Sequence, residues 1–390
     1  MPKIDQPVVI VGAGPAGSSL AIRLRKFGLP VSLIERYRFP RQKLCGEFIS
    51  PECLNHFAEL GVLDEMVSAG GDRVYETVFY ETGGASISVP SRWFDESGFA
   101  LSLSRARMDN ILLERAKSSG AKVMEETTVS RVHSEAGAIS GLTVRNADGS
   151  TSEIETRVVI DATGRARVVS RLADKAAARK ELKPRFVGLK AHLTGAKMPR
   201  GVCEIYGFRG GYAGLTFVEN DEANVCFLAK ASLLNGAKDA DRILETLRNQ
   251  NRRAGETLAN AEKVHDWLTV SVPRFGMTDP PDIDGLYAVG DSAAFVDPFT
   301  GSGMLMAMES SACLAACVEK AGFDHAALKS AFDNAYRERF SSRLKTSRLI
   351  RYVAYDPMLS RAAVKLLSMS RKLRAALARR TRSANTVDNL

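Results

Sequence analysis

Short apolar runs recur along the chain as far as residue 289. Val8–Val11, "VSLIE" at 31–35, Val158–Ile160 and Leu286–Val289 have the length and composition of strands buried on both faces. The segment between the first two runs has a helical pattern that Gly28 ends. Strands of this kind, joined by a helix, predict a parallel sheet flanked by helices.

Segments in which apolar and polar residues alternate lie between these runs. Residues 77–90 indicate a hairpin around Gly83-Gly84, and residues 127–161 indicate a meander with a turn at Asp148-Gly149. Four more alternating stretches, between 185 and 230, are "RFVGLKAHL", "CEIYGF", "GYAGLTFV" and "NVCFLA". They predict a mostly antiparallel sheet beside the parallel one, and from about residue 325 the pattern is helical.

Glycines follow the first strand at the spacing of a dinucleotide-binding turn. Gly12, Gly14 and Gly17 form G-x-G-x-x-G, and Glu35 ends the next strand eighteen residues after Gly17. Gly12 permits the tight turn, Gly14 lets the backbone approach a pyrophosphate, and Gly17 allows close helix–strand packing. Glu35 is suited to accept hydrogen bonds from a ribose 2′-OH. This order predicts a dinucleotide site without separating NAD from FAD.

Two later stretches separate these cofactors. "VVIDATGRARVVSR" ends its strand in a loop that contains Thr163, and "GLYAVGDSAAFVDPFTGSG" ends its strand at Asp291, which can accept hydrogen bonds from polyol hydroxyls. Gly301 and Gly303 begin another helix, whose N-terminus stabilises negative charge. Together the three stretches resemble the FAD-binding signature of the aromatic-hydroxylase type of flavoprotein. That superfamily includes single-component flavin monooxygenases, flavin-dependent halogenases and geranylgeranyl reductases.

The resemblance covers most of residues 6–320 and implies a fold and a cofactor. The fold is α/β: a discontinuous Rossmann-like FAD-binding domain (1–75, 100–180, 281–325), an interleaved, mostly antiparallel β-sheet substrate domain (76–99, 181–280) and a basic helical C-terminal extension (326–390). "SRARMD" matches a helix start of the family and implies that Arg105 lies near the pyrophosphate or ribose. The implied cofactor contacts are Gly12, Gly14, Ala16, Gly17, Glu35, Arg36, Gly46, Arg105, Val129, Asp291, Gly301 and Gly303.

The stretch "KLCGEF" bears on the reaction. Geranylgeranyl reductases carry a Cys-Gly pair here, so the resemblance implies that Gly46 lets the backbone approach the flavin and that Cys45 is a candidate proton donor. The alternative for Cys45 is a small residue fitted under the cofactor. Glu47 is expected to be a charge at the start of the next helix. Where the reductases carry Tyr-x-Trp-x-Phe-Pro, "GYAGLTF" keeps Tyr212 but neither aromatic partner, which predicts room for a bulkier or ringed ligand.

Four chemistries remain for the flavin. Halogenases of this superfamily carry Trp-x-Trp-x-Ile, whereas Trp93 and Trp267 are far apart, and Lys43 only loosely echoes their catalytic lysine segment. We expect a monooxygenase that acts through a flavin C4a-hydroperoxide on a hydrophobic, aromatic or polyketide-like substrate. The alternative is reduction of C=C bonds in a prenyl or lipid substrate, ahead of halogenation and electron transfer. No second dinucleotide fingerprint is present, so we expect NAD(P)H to bind transiently or a separate reductase to supply electrons.

The stretch "FVGLKAHL" has two distinct faces. Its alternation places Leu189 and Ala191 on one face and Lys190 and His192 on the other. A solvated outer face is the expected position of Lys190 and His192. The functional alternative is that they bind substrate, with Tyr212, in a cavity between the sheet and the flavin.

Positive charge is concentrated near the C-terminus. Residues 337–383 contain fourteen Lys/Arg and two acidic residues, so this segment carries +12 of a chain whose net charge is +9. Leu359, Ala363 and Leu366 recur at helical spacing opposite basic residues. The pattern is typical of a helix on an anionic membrane surface, of docking to an acidic carrier protein, or of an ordinary surface helix. No motif supports nucleic-acid binding.

Composition adds little to this picture. With 45% hydrophobic and 25% charged residues, an ordinary globular protein is expected. Six scattered cysteines and five dispersed histidines indicate neither a disulfide framework nor a metal site. The sequence shows no secretory pattern and no apolar run of transmembrane length, so we expect a cytoplasmic protein, with peripheral membrane contact as an alternative.

Overall fold

The computed structural model describes residues 7–174, 184–233, 240–272, 274–278 and 281–382. Helices and strands are numbered in chain order within these residues. The helices are α1 (Pro15–Lys26), α2 (Glu52–Leu60), α3 (Leu63–Ser68), α4 (Arg105–Ser118), α5 (Val168–Ala173), α6 (Ala240–Gln250), α7 (Arg252–Thr257), α8 (Gly303–Ala321), α9 (His325–Ala354), α10 (Pro357–Ser368) and α11 (Arg371–Arg380).

The strands belong to five sheets. They are β1 (Val8–Val11), β2 (Val31–Ile34), β3 (Phe48–Ile49), β4 (Asp72–Val74), β5 (Glu76–Tyr80), β6 (Ser86–Pro90), β7 (Ala100–Ser102), β8 (Lys122–Met124), β9 (Thr128–Glu135), β10 (Ala138–Arg145), β11 (Thr151–Glu155), β12 (Val159–Asp161), β13 (Phe186–Thr194), β14 (Val202–Phe208), β15 (Gly211–Phe217), β16 (Ala223–Lys230), β17 (Glu262–Lys263), β18 (Leu268–Val272), β19 (Gly276–Met277), β20 (Leu286–Ala288) and β21 (Ala294–Phe295).

The four apolar runs and β8, which the sequence pattern did not predict, form a five-stranded parallel sheet in the order β20-β12-β1-β2-β8. Helices α1, α4 and α8 pack on one face of it and share the largest apolar core. A 2.7 Å hydrogen bond between the hydroxyls of Ser19 and Ser311 joins α1 to α8 inside that core. The carboxyl ends of β1, β12 and β20 therefore meet at one edge, where open α/β sheets bind ligands.

The alternating segments form an eight-stranded sheet in the order β17-β13-β16-β15-β14-β5-β6, with β18 also paired to β13. Every pairing is antiparallel except that of β14 with β5. Helix α6 packs Ile243, Leu244 and Leu247 against the face of β13 that carries Leu189 and Ala191. The predicted mostly antiparallel sheet is confirmed, and its other face lies towards the edge where the parallel strands end.

Smaller sheets complete the β structure. Strands β9, β10 and β11 form the predicted antiparallel meander, whose turn contains Gly149 at φ +83°. An apolar cluster that includes Val11, Ile34 and Leu142 packs this meander against the parallel sheet. The predicted domain boundaries stay predictions.

Three consecutive helices form the C-terminal part of the described chain. Phe332, Tyr336 and Phe340 anchor α9 in the main core. The carboxylate of Asp356 then accepts hydrogen bonds from the amides of Met358 and Leu359 and begins α10. The predicted α/β class with a helical C-terminal region is confirmed. In the part of the chain that the structure describes, no helix combines the length and the hydropathy needed to cross a bilayer.

Candidate cofactor and substrate site

The first glycine turn is built as its spacing predicts. Gly12 has φ +104°, and a Cβ there would lie 2.4 Å from the carbonyl oxygen of Ala162. A Cβ at Gly17 would lie 1.9 Å from the carbonyl oxygen of Gly12. Neither position tolerates a side chain, because the turn, helix α1 and the loop after β12 are in direct backbone contact.

Gly14 differs, because a Cβ there would face two cations instead of backbone. Its nearest neighbours would be the Lys43 Nζ at 3.8 Å and the Arg105 Nη2 at 3.9 Å. The residue also stands at the N-cap of α1, with Pro15 as the first helical residue. A helix N-terminus flanked by two cationic side chains suits a pyrophosphate.

The two cations are held in place differently. The Arg105 guanidinium makes a bidentate contact of 2.7 and 2.6 Å with the carboxylate of Asp109. Burial lowers the pKa of Arg105, but the Asp109 carboxylate raises it by more, so the guanidinium stays charged. Burial, and then the nearby Arg105 cation, lowers the pKa of Lys43 to about 8. An anion bound at Gly14 would relieve this repulsion.

Glu35 lies beside the same turn at the end of β2. Its carboxylate accepts hydrogen bonds from the amides of Ala13 (3.0 Å) and Tyr37 (3.1 Å). Arg36 is exposed and lies over the ring of Tyr37. Val129 is buried in the apolar cluster under the sheet. Their predicted contacts with the nucleotide stay predictions.

The third stretch closes the other side of the site. Burial raises the pKa of the Asp291 carboxyl, and Arg165, Lys43 and Arg105 are the cations that face it and oppose this rise. Gly301 has φ +62°, and a Cβ there would approach the Phe48 ring to 2.9 Å. Gly303 is the first residue of α8, so the positive end of that helix points at the same region.

A cavity of about 590 Å³ connects these groups with the antiparallel sheet and the C-terminal helices. The predicted site residues that line it are Gly14, Ala16, Cys45, Gly46, Arg105, Tyr212, Asp291, Gly301 and Gly303. Those outside its lining are Gly12, Gly17, Glu35, Arg36, Val129, Lys190 and His192. A Cβ at Gly46 would meet no described atom within 4 Å, so the backbone there is open to a ligand. These features fit FAD.

Cys45 lies at this cavity with its sulfur turned back on its own loop. The thiol accepts a hydrogen bond from the amide of Glu47 at 3.4 Å. It also lies next to the Arg105 guanidinium. The Cys45 carbonyl oxygen accepts a hydrogen bond of 3.1 Å from the side chain of Asn224. The thiol is therefore a member of the loop that carries Gly46 as well as of the cavity wall.

The sequence did not reveal the role of Glu47, whose side chain is completely buried. Its carboxylate accepts hydrogen bonds from the Arg105 amide (2.8 Å), the Lys190 ammonium and His192 Nε2 (2.7 Å). The other ring nitrogen of His192 lies 2.8 Å from the carboxylate of Glu222. The His192 ring therefore lies between two carboxylates. We call Glu47, Lys190, His192 and Glu222 the buried charge cluster.

Two expectations are corrected by this cluster. Lys190 and His192 share a face, as predicted, but that face is buried and not solvated, since they are 2% and 5% exposed. Their charged atoms contact Glu47, and neither lines the cavity. Glu47 is not a charge at the start of a helix, because it has φ +55° in a turn and α2 begins at Glu52. Two basic residues on one strand face were the available signal for a buried acid.

Tyr212 lines the cavity as expected and is also fixed from behind. Its hydroxyl donates to the Asp297 carboxylate at 3.2 Å, and its ring meets Phe299 edge-on at 4.9 Å. Arg351 of α9 reaches the same carboxylate at 3.4 Å. Burial raises the pKa of Asp297 to about 6. The Asp297 carboxylate therefore joins Tyr212 of the antiparallel sheet and Arg351 of the C-terminal helices to the third glycine stretch.

Within the described ranges, no group of His, Cys, Asp and Glu side chains has an arrangement that could hold a metal ion.

Comparison with known families identifies this arrangement. The family model described as FAD binding domain matches residues 5–329. A digeranylgeranylglycerophospholipid reductase of Methanosarcina acetivorans is 28% identical over 316 residues, which cover 77% of this chain and 72% of that protein.

Solved structures show the same fold. The chondrochloren halogenase CndH from a myxobacterium superimposes with a TM-score of 0.80 at 24% identity, over 96% of this chain and 89% of that one. The probable FAD-dependent monooxygenase pqsL of Pseudomonas aeruginosa superimposes with a TM-score of 0.72 at 21% identity, over 92% and 99%. At these identities the structural likeness concerns the fold alone.

Proposed function

This chain belongs to the FAD binding domain family of flavin-dependent oxidoreductases, and on that premise we propose that it is a monooxygenase of a hydrophobic, aromatic substrate. We further propose that NAD(P)H, binding transiently, or a separate reductase supplies the electrons. The experiment below is designed to decide between oxygen transfer and its main alternative.

The wall that faces the predicted flavin position carries this proposal. The antiparallel sheet and the third glycine stretch present apolar and aromatic side chains there: Phe79, Ile205, Tyr212, Leu228, Phe295 and Phe299. Such a wall excludes water and offers ring faces to an aromatic ligand. Oxygen transfer needs this shielding and no dedicated protein acid or base.

The residues of the chain have distinct roles in this proposal. Lys43, Arg105 and the amides at Gly14 would hold the pyrophosphate, and Asp291 would accept hydrogen bonds from the ribityl chain. The N-terminus of α8 at Gly303 would stabilise negative charge on the flavin ring. FAD, when bound, supplies the redox chemistry and oxygen activation. The chain contributes orientation, charge stabilisation and exclusion of water.

A second candidate is the reduction of a C=C bond in a prenyl or lipid substrate. It is favoured by the identity to the digeranylgeranylglycerophospholipid reductase and by a Cys-Gly pair at the cavity wall. We place it second because the Cys45 sulfur accepts the Glu47 amide and lies by Arg105, which holds it to its own loop. A proton donor to substrate would have to leave this position.

The deciding experiment supplies the FAD-loaded enzyme with NAD(P)H and ¹⁸O₂. The substrates offered are a long-chain alkylphenol and a polyprenyl lipid, and the products are analysed by mass spectrometry. We expect one ¹⁸O atom in the phenol product and an unchanged prenyl chain. A gain of two hydrogens in the prenyl chain without ¹⁸O would instead establish the reductase. In that case Cys45→Ser, compared with Cys45→Ala, would test the thiol.

A further inference from the structure

Large apolar side chains are exposed together on the C-terminal helices. Seven of the eleven exposed large apolar side chains among the described residues lie between positions 349 and 373, so they are concentrated on the last three helices. They are Leu349, Tyr352, Met358, Leu359, Leu366, Met369 and Leu373, and we call them the apolar rim. A contiguous exposed apolar surface is typical of an interaction site.

Three members of the apolar rim also line the cavity, one from each of the last three helices. They are Leu349 of α9, Leu366 of α10 and Leu373 of α11. Their exposed fractions are 62%, 58% and 43%. A side chain that contacts solvent and also lines a cavity marks an opening. The cavity that contains the flavin site therefore opens between these three helices.

Basic residues accompany this opening on every helix. Each of the three leucines directly follows an exposed basic residue: Arg348, Lys365 or Lys372. Other exposed basic side chains of the same helices are Lys345, Arg361, Arg371, Arg379 and Arg380. The opening thus combines exposed apolar side chains with positive charge.

Helix α10 shows how the two kinds of residue are arranged. Met358, Ala362, Leu366 and Met369 are all exposed, and their spacing of four, four and three residues places them on one helix face. Lys365 lies next to this face. Such a helix lies flat in a membrane interface, with its apolar face among acyl chains and its basic side chains at the headgroups.

We propose that the apolar rim docks on the surface of an anionic lipid bilayer, with the cavity opening turned towards the membrane. A bilayer accounts for both the apolar and the basic residues of this surface. An acidic carrier protein would account for the basic residues but leave the exposed apolar face of α10 unexplained. Docking does not depend on which reaction the flavin performs. Entry of a hydrophobic substrate from the bilayer does rest on the proposed function.

Vesicle sedimentation with the full-length, FAD-loaded chain tests the proposal. We expect binding to vesicles of phosphatidylcholine mixed with phosphatidylglycerol, and little binding to phosphatidylcholine alone. The double variant Lys365→Gln/Lys372→Gln should bind the mixed vesicles about 25-fold less tightly, since each charge near an anionic surface contributes about fivefold. The double variant Leu366→Gln/Met369→Gln should bind the mixed vesicles roughly tenfold less tightly or weaker still, because it removes two apolar side chains from the acyl region of the bilayer.

Matched controls separate docking from a general loss of charge or apolar surface. Lys122→Gln and Leu233→Gln change exposed residues outside the apolar rim and should bind like the unaltered chain. Equal binding to both vesicle types, or unchanged binding of the rim variants, would overturn the proposal. Capture of a purified acidic carrier protein without any vesicle binding would assign the surface to a protein partner. No arm requires turnover, so the result is independent of the reaction test.

Discussion

At the residue scale, the Glu47 carboxylate is the group on which most of the buried charge cluster depends. Lys190 and His192 both direct their charged atoms at it from β13. Glu47→Gln would leave Lys190 buried without its counter-charge and His192 with Glu222 alone, and breaking a buried ion pair typically costs about 3–5 kcal/mol. We expect the free energy of unfolding, measured in urea, to fall by that amount.

A second substitution shows whether this loss arises from charge. Glu222 is partly exposed, so Glu222→Gln should cost clearly less than Glu47→Gln. In the double variant Glu47→Gln/Lys190→Met, part of the lost stability should return, because one unpaired charge is removed. If the double variant lost as much stability as the Glu47→Gln and Lys190→Met single variants together, the two side chains would not be coupled, which would contradict the buried charge cluster.

The pH dependence of Glu47 has a definite sign. Burial raises the pKa of this carboxyl, but the hydrogen bond from His192 and the Lys190 charge lower it by more, so it lies below its ordinary value. A depressed folded pKa stabilises the protein above the unfolded value of about 4.3, and this contribution is lost as the pH falls further. The stability gap between the unaltered chain and Glu47→Gln should therefore narrow from about pH 5 downward.

The contribution of Asp297 to stability has the opposite pH dependence. Burial raises its folded pKa to about 6, although the Phe299 amide and Arg351 oppose the rise. Its contribution to stability is therefore greatest below the unfolded pKa and declines as the pH rises to 6. Relative to Asp297→Asn, the flavin-free protein should lose about 2 kcal/mol between pH 4 and 7. Urea unfolding of both proteins across this range measures the effect, and parallel curves would contradict it.

Residue positions were predictable where they depend on local spacing. The alternation along "FVGLKAHL" correctly paired Lys190 with His192, but it did not reveal that their face is buried. Their partner Glu47 lies 143 residues away from Lys190, and no periodicity connects the two positions. Asp291 and Gly301 do line the cavity, and their short motif carries its own turn chemistry, but their cofactor contacts stay predictions.

At the scale of the element, the glycine turn between β1 and α1 separates folding from cofactor binding. Gly12→Ala forces a Cβ to within 2.4 Å of the Ala162 carbonyl oxygen at φ +104°, so we expect severe loss of folded protein. Gly14→Ala has open space bounded by Lys43 and Arg105. It should fold, but bind FAD at least about tenfold more weakly, because the methyl group displaces the pyrophosphate.

Gly28 supplies the control for this comparison. It has φ +76°, yet a Cβ there meets no described atom within 4 Å. Gly28→Ala should therefore cost only the left-handed backbone conformation, about 1–2 kcal/mol, and leave FAD affinity unchanged. Thermal unfolding and flavin fluorescence titration measure both quantities. If the Gly14→Ala variant bound FAD as tightly as the Gly28→Ala variant, the turn at Gly14 would not be the site that holds the pyrophosphate.

Elements were predicted well because their signals are local. Buried apolar runs predicted four of the five parallel strands but not β8, and alternation predicted β13 to β16 close to their observed bounds. The order of the strands in the sheets was not predicted. For example, β14 pairs in parallel with β5, from which it is separated by more than a hundred residues of chain. Such pairings depend on how whole sheets pack, and the sequence pattern of either strand alone does not contain them.

At the scale of the whole molecule, the C-terminal helices have a position that the sequence did not predict, because they line the cavity. The sequence predicted basic amphipathic helices and left membrane, carrier protein and plain surface as alternatives. In the structure, Val364, Leu367 and Leu377 line the cavity together with Arg374 and Arg382, while other basic side chains of the same helices are exposed. The apolar side chains of these helices therefore line the cavity as well as contribute to the exposed surface. Helical periodicity identifies an apolar stripe but does not say which cavity it covers.

This placement makes the last helices a cover for the flavin site, and their removal should expose it. A chain that ends at Asp356 keeps every predicted cofactor contact, since the last of them is Gly303, so its FAD affinity should stay within about tenfold of the full chain. Without α10 and α11, however, the cavity loses Val364, Leu367 and Leu377 from its wall. Iodide should then quench the fluorescence of bound FAD much more strongly than in the full chain, with Leu233→Gln as an unchanged control. Equal quenching would mean that the flavin is shielded by the antiparallel sheet alone, and that α10 and α11 serve only the surface.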